Sequence, residues 1–211
     1  MKPDYEYSDK CHIRFFNCDN MDFMRECKEN EYDLAIVDPE FGIGIGNSPR
    51  LVTDKGLKAK EWDNKPIDMN YFTELFRISK NQIIWGGNYY ALPPTKHCII
   101  WDKKQPEAMS FGMFDFAWTS FDGANKMFRY SVLKEQDKIH PTQKPIALYR
   151  WLLQKYAKQG DKILDTHGGS MTIARACYEE EFDLDIMELD KEYFDKGVHK
   201  FKEHVSQIKL F

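Results

Sequence analysis

The sequence predicts an α/β fold, a mostly parallel twisted sheet with helices on both faces. Three observations carry this. Short apolar runs, each closed by polar or glycine residues, recur along the chain and suit strands buried on both sides. Helical patterns separate most of those runs, and strands alternating with helices imply a parallel sheet. One run leads into a turn of small residues, and an acid ends the next strand about 20 residues on.

The elements follow in order. His12–Phe16 reads as the first strand and Met21–Cys27 as a helix. Leu34–Val37 is the second strand. A polar, glycine-containing stretch, residues 43–65, then breaks the rhythm, and an inserted loop that long is usually functional. Met69–Ile78 reads as a helix with Tyr71, Phe72, Leu75 and Phe76 on one face. Gln82–Trp85 and Cys98–Trp101 are further strands. Pro106–Leu133 is aromatic-rich, with strand-like alternation near both ends. Ile146–Ala157 is the clearest helix, with Pro145 suited to its start and Gly160 to its stop. Lys162–Leu164 and Leu184–Met187 complete the strands. The last helix, Lys191–His204, brings Phe194, Val198 and Phe201 onto one stripe, continued by Val205. The 211 residues favour a single domain, 1–211.

Composition excludes several classes. Hydrophobic residues at 42% and aromatics at 15% are too many for a disordered chain. With 30% charged residues and no apolar run near the ~18 residues needed to span a bilayer, no membrane span is expected. The first ten residues, MKPDYEYSDK, lack the apolar core of a signal peptide. Cys11, Cys18, Cys27, Cys98 and Cys177 form no CxxC pair. They are expected as reduced thiols, mostly in the core, of a cytoplasmic protein. The net charge of -4 argues at first against a nucleic-acid partner. The acidity is local, however: residues 161–195 hold 11 acids and 3 bases, which leaves the remainder weakly basic.

In a doubly wound sheet, ligands bind at the carboxyl ends of the strands. After Lys162–Leu164 comes Asp165-Thr-His-Gly-Gly-Ser-Met-Thr172. Small residues there let a ligand approach the backbone, and the following helix offers free N–H groups. Glu188, at the end of the next strand, suits the two ribose hydroxyls of an adenosine cofactor. After Leu34–Val37 comes Asp38-Pro39-Glu40-Phe41-Gly42. An exocyclic amino group on a base is a poor nucleophile, because its lone pair is delocalised into the ring. A carboxylate (Asp38) and a backbone carbonyl (Pro39) can accept its two N–H protons and draw electron density onto nitrogen. An aromatic ring (Phe41) can stack on the extruded base. Taken singly, each segment also reads as an ordinary turn.

Together the two motifs say more. An acid-proline-x-aromatic segment after one strand and Asp-x-x-x-Gly-Ser after another resemble the amino-directed, S-adenosylmethionine-dependent DNA methyltransferases. His140-Pro-Thr-Gln-Lys-Pro145 lies between them, and the catalytic motif precedes the cofactor motif. This order resembles the permuted, or β-class, group of that family. Phe15–Asp19 followed by Met21-Asp-Phe-Met24, Ile83-Ile-Trp-Gly-Gly-Asn88 and Cys98-Ile-Ile-Trp-Asp102 resemble its other core segments. The resemblance implies a Rossmann-like methyltransferase fold with circularly permuted motif order and S-adenosylmethionine as cofactor. It places Asp38, Pro39 and Phe41 on the catalytic motif. Asp165, Gly169 and Ser170 fall on the cofactor loop, Glu188 on the ribose acid and Asp19 on the adenine contact. Thr142, Gln143 and Lys144 fall on the segment over the cofactor's methionine end, with Asp38 beside it. No metal is implied.

Three positions depart from the family's usual pattern. Glu40 and Phe41 stand where Pro and Tyr are usual, and Met171 stands where Gly is usual. Phe41 keeps the stacking face. Glu40 is expected to put a negative charge near an anionic substrate, and Met171 to cost cofactor affinity if that position needs a positive φ. The resulting reading is a DNA methyltransferase acting on adenine N6 in preference to cytosine N4. The alternatives are a weakened or inactive descendant that binds DNA or cofactor, and an amino methyltransferase acting on RNA or a protein amide. A Pro-Cys pair is absent, which removes cytosine C5 chemistry. Double-stranded DNA is the expected partner, contacted by Arg50, Lys55, Lys58 and Lys60 of the inserted loop. Residues 103–138 are the candidate target-recognition segment, although their aromatics suit a sheet core better than stacking platforms. That segment is short, so a homodimer would enlarge the contact surface. Gln207-Ile-Lys-Leu-Phe211 resembles the peptide by which bacterial proteins dock on the replication sliding clamp. A bacterial or phage-encoded restriction-modification setting is implied.

Overall fold

A computed structural model describes residues 1–44, 67–108, 112–131, 138–140 and 142–208. The strands are β1 (Tyr5–Ser8), β2 (His12–Phe16), β3 (Tyr32–Val37), β4 (Ser79–Trp85), β5 (Cys98–Asp102), β6 (Phe114–Thr119), β7 (Lys126–Arg129), β8 (Lys162–Asp165) and β9 (Asp183–Met187). The helices are α1 (Asn20–Glu26), α2 (Met69–Ile78), α3 (Ile146–Tyr156), α4 (Thr172–Glu180) and α5 (Lys191–Ile208), so α5 runs past the expected end. The strands form one sheet in the order β1-β2-β9-β8-β3-β4-β6-β5-β7.

Strand alternation divides the core in two. Leu34 and Ile36 of β3, with Ile83 and Trp85 of β4, face one way, against α3, α4 and α5. Ala35, Val37 and Ile84 face the other way, against α1 and α2. Helices therefore cover both faces, and the α/β class is as read. In α2, Asp68 accepts a hydrogen bond from Asn70 N–H at 2.7 Å and caps the helix, while Tyr71, Phe72, Leu75 and Ile78 are buried.

The sheet is mixed at two places. β1 runs antiparallel to β2, and β6 runs antiparallel to both β4 and β5. The segment Cys98–Trp101, expected in a purely parallel setting, thus has an antiparallel neighbour on one side and a parallel one, β7, on the other. The cause lies in residues 103–138. They supply β6 and β7, and Ala117 and Trp118 of β6 are buried in the sheet. Phe114, at the start of β6, is exposed. Of the cysteines, Cys11 and Cys177 are buried and the other three are half-buried, a shallower placement than the sequence suggests. No helix among the described residues is long and apolar enough to cross a membrane.

Candidate active site

The strand order assembles the site. β2, β9, β8 and β3 are consecutive parallel neighbours, so their carboxyl ends stand in one row. That row carries Asp19, Glu188, the turn 165–172 and the loop 38–41. The segment leading into α3 supplies Thr142, Gln143 and Lys144. A single cavity is lined by Asp19, Asp38, Pro39, Phe41, Thr142, Gln143, Lys144, Gly169, Ser170 and Glu188. Asp165 is not on its wall. It is buried behind the turn, where its Oδ1 accepts the His167 N–H at 3.0 Å. Arg50, Lys55, Lys58 and Lys60 lie outside the described residues, as does all but the first two residues of the 43–65 loop.

The cofactor turn is held by backbone geometry. Gly168 N–H donates to Met187 O at 2.6 Å, and a Cβ at Gly168 would meet that oxygen and Ile186 Cγ1 at 3.0 Å. A larger residue fits there only if the turn or β9 gives by a few tenths of an ångström. Glu188 accepts the Gly169 N–H through Oε2 and the Asp190 N–H through Oε1, each at 2.7 Å. Burial pushes its carboxyl up, and those two N–H donors work against the shift. Its oxygens keep lone pairs for a diol on the cavity side, which fits an adenosine ribose. Met171 takes φ 52, as the expectation for that position required, and its side chain is buried against α5. Gly197 makes the room: a Cβ there would come within 2.7 Å of Met171 Cγ. Asp19 caps α1 by accepting the Met21 N–H at 2.7 Å.

The acceptor loop is held by side chains. Lys144 is almost fully buried, lies 5.0 Å over the Trp85 ring and donates from Nζ to Asp38 Oδ2. The other oxygen, Asp38 Oδ1, is buried and has no hydrogen-bond partner among the described residues. Burial pushes the Asp38 carboxyl up, and the Lys144 ammonium opposes that shift. Tyr90 donates its hydroxyl to Pro39 O at 2.9 Å, with Glu40 O at 3.2 Å. Phe41 stacks on Tyr89 at 4.8 Å between centroids and 15° between planes. Gly86 (φ 68) lets it do so, because a Cβ there would overlap the Phe41 ring.

Sequence reasoning missed Tyr89, Tyr90 and His167. It also assigned Lys144 to the cofactor alone, whereas in the structure its ammonium sits on Asp38. A lysine between two strand-end motifs was a visible signal, although its partner was not.

An unpartnered carboxylate oxygen, a proline carbonyl and a half-buried aromatic ring beside a glycine turn and an acid suited to a diol are the parts an amino methyltransferase needs. The model of the N6/N4 DNA methylases matches residues 58–199. The chain belongs to this DNA methylase family, whose methyl donor is S-adenosylmethionine. The methylase is 24% identical to the type II methyltransferase M.HpaI of Haemophilus parainfluenzae, over 82% of this chain and 68% of that protein. It is 22% identical to M2.MboI of Moraxella bovis, over 98% of this chain and 96% of the relative. In fold it resembles the M1.HpyAVI–SAM complex, at TM-score 0.64 and 19% identity, over 89% of this chain and 99% of the other. It also resembles the cytosine-N4-specific PvuII DNA methyltransferase, at TM-score 0.64 and 13% identity, over 98% and 95%.

Proposed function

We propose that the methylase transfers a methyl group to the exocyclic amino group of a base turned out of duplex DNA, adenine N6 in preference to cytosine N4. The single observation that carries this is Asp38 on the cavity wall: one oxygen is anchored by Lys144, and the other is buried without a hydrogen-bond partner among the described residues. That unpartnered oxygen accepts one amino proton of the target, and the Pro39 carbonyl accepts the other through its second lone pair. The nitrogen lone pair is then localised toward the donor. When bound, the cofactor supplies an activated sulfonium methyl. Gly169, Ser170 and Glu188 hold its adenosine side, with Asp165 bracing the turn from behind, Asp19 at the adenine and residues 142–144 at the methionine end. Phe41 stacks on the base. One proton leaves the amino nitrogen after transfer, and Asp38 is placed to take it. The adenine preference rests on the resemblance of Asp38-Pro39-Glu40-Phe41 to the family's Asp-Pro-Pro-Tyr form, which leans to adenine.

Arg50, Lys55, Lys58 and Lys60 are proposed to neutralise backbone phosphates, and residues 103–138 to contribute target recognition. A second copy would enlarge that surface. Gln207 is exposed near the end of α5, which supports docking of the tail 207–211 on a sliding clamp. Deleting that tail should abolish clamp capture and leave transfer intact.

The deciding experiment is methylation-sensitive sequencing of DNA from cells expressing wild type or Asp38→Ala. The expected result is N6-methyladenine at a short recurrent site, absent in the variant. N4-methylcytosine at that site would reverse the base assignment. No mark from the wild type would refute DNA methylation as its activity.

A further inference from the structure

Glu40 replaces a residue that usually has no charge, and the structure shows what faces it. Glu40 Oε2 lies 3.3 Å from His167 Nε2, with both side chains largely shielded from solvent. Glu40 belongs to the acceptor loop after β3, and His167 to the cofactor turn after β8. The other side of His167 is also fixed. Its Nδ1 lies 2.9 Å from Thr166 Oγ1 and 3.5 Å from the Tyr71 hydroxyl, and that hydroxyl is 2.6 Å from Thr166 Oγ1. Asn20 Nδ2 at the start of α1 lies 3.0 Å from Nε2. The Tyr71 ring packs edge-on against the imidazole at 5.2 Å. The Glu40 backbone is held independently, its carbonyl lying 3.2 Å from the Tyr90 hydroxyl.

We infer that Glu40 and His167 are a positioning pair, which fixes the acceptor loop 38–41 against the cofactor turn 165–172 and so aligns the target nitrogen with the donor methyl. The inference rests on the methyl-transfer reading above. Both residues line the cavity, and the role inferred for them is to hold its two walls together. Their contact is a direct side-chain link between the two halves of the reaction, made from two residues 127 positions apart in the chain. It also answers the objection to Glu40, since the carboxylate is met by the His167 imidazole within the site.

The pairing favours the charged form of both groups. Burial works against both charges, but for His167 the attraction and hydrogen bond of Glu40 outweigh it, helped by Asp165 and Glu188. For Glu40 the imidazolium outweighs it in turn. The groups facing His167 are therefore Glu40 from the acceptor loop, Asp165 from its own turn and Glu188 beyond β9, with the uncharged Asn20 and Tyr71. Asp38 also feels the imidazolium, and Lys144 is the cation on its far side. As pH rises through the raised midpoint of His167, the imidazole discharges and the loop loses its anchor.

The test uses the full chain with isotopically labelled histidine, DNA and S-adenosylmethionine. His167, assigned through His167→Asn, should titrate above the ordinary imidazole midpoint, and that midpoint should fall in Glu40→Gln. Each single variant should slow single-turnover transfer by about 10- to 100-fold, the scale of a small misplacement of reacting groups. Cofactor affinity should stay within a few-fold. The double variant should be no slower than the worse single, because both act through one contact. The wild-type rate should fall on the alkaline side, while His167→Asn should be flat there. Glu40→Gln is near-isosteric and keeps a hydrogen-bonding group, and circular dichroism checks that it folds. An unmoved His167 midpoint in Glu40→Gln, or losses that multiply in the double variant, overturns the pair. A wild type that moves no methyl group overturns the functional reading instead, while the titration still decides whether the pair exists.

Discussion

The loop 38–41 and the turn 165–172 leave neighbouring strands, β3 and β8, yet they are held in opposite ways. The turn is fixed through its own backbone and by packing: Gly168 against β9, Gly169 N–H on the Glu188 carboxylate, His167 N–H on Asp165, Met171 in the space left by Gly197. The loop is fixed by polar side chains from elsewhere: Lys144 on Asp38, Tyr90 on Pro39, His167 on Glu40. A binding turn built into the core should resist substitution through stability. A reacting loop tethered by polar groups should respond through rate and pH. Variants that separate these responses test the contrast.

The largest effect is expected for Lys144→Met. Losing the ammonium leaves a buried carboxylate unpaired, which costs about 3–5 kcal/mol at neutral pH. Asp38 is already pushed up by burial and is held down by Lys144. Without that cation its carboxyl rises further, so the acid limb of the transfer rate moves to higher pH. Denaturation and single-turnover rates measured across pH check both parts. A variant with an unmoved acid limb would break the proposed tie between Lys144 and the reacting group.

Asp165→Asn probes the turn in the same currency. Burial pushes the Asp165 carboxyl up to about 7, despite the His167 N–H it accepts. Between its ordinary value and that midpoint the folded state holds a proton that the unfolded chain has released. Stability from this group is therefore lost as pH rises through the window and stays low above it. Asparagine removes the titration and keeps an acceptor. The variant should match wild type near pH 4 and exceed it by a few kcal/mol near pH 8, read by urea denaturation. An equal difference at both pH values would place the cost elsewhere than in burying the charge.

The sequence spelled out the turn and its acid more fully than the tethers, for a physical reason. Glycine beside a strand end and an acid one strand later are local patterns, and Asp165–Ser170 and Glu188 could be read from spacing. Asp38, Pro39 and Phe41 lie within four residues and are equally legible. Lys144 and Asp38 are 106 residues apart, and nothing local encodes their meeting. Nothing local marks His167 either, because its partner, Glu40, lies 127 residues away. The same limit applies to the sheet. Each strand from His12–Phe16 to Leu184–Met187 had a readable pattern, but the insertion of β6 between β4 and β5 depends on long-range pairing. Met171 was flagged from its position alone, while the compensating Gly197 lies 26 residues further on in α5.

Met171→Gly measures that compensation. A left-handed backbone costs a non-glycine residue roughly 1–2 kcal/mol, which glycine would recover. Deleting a buried methionine side chain costs about 2–5 kcal/mol. The net expectation is a loss of about 1–3 kcal/mol, seen as a lower thermal midpoint, with cofactor affinity changed only a few-fold. A gain in stability would show that strain at this turn outweighs its packing.

Tyr90→Phe is the smallest change and separates the two regions most cleanly. The variant keeps the ring that packs on Phe72 and Phe41 and removes the hydroxyl that Pro39 O accepts. One hydrogen bond is worth about 0.5–1.5 kcal/mol, so the fold should survive with a slightly lower midpoint. The Pro39 carbonyl is then less constrained as the proposed second acceptor for the amino group, and transfer should slow a few-fold. Cofactor affinity should not change, because the hydroxyl donates to Pro39 O and Glu40 O of the loop. If affinity falls in step with rate, the loop and the turn move as one body and the division between tethered and packed regions is wrong. If rate falls alone, side-chain tethers set the geometry of the reacting loop.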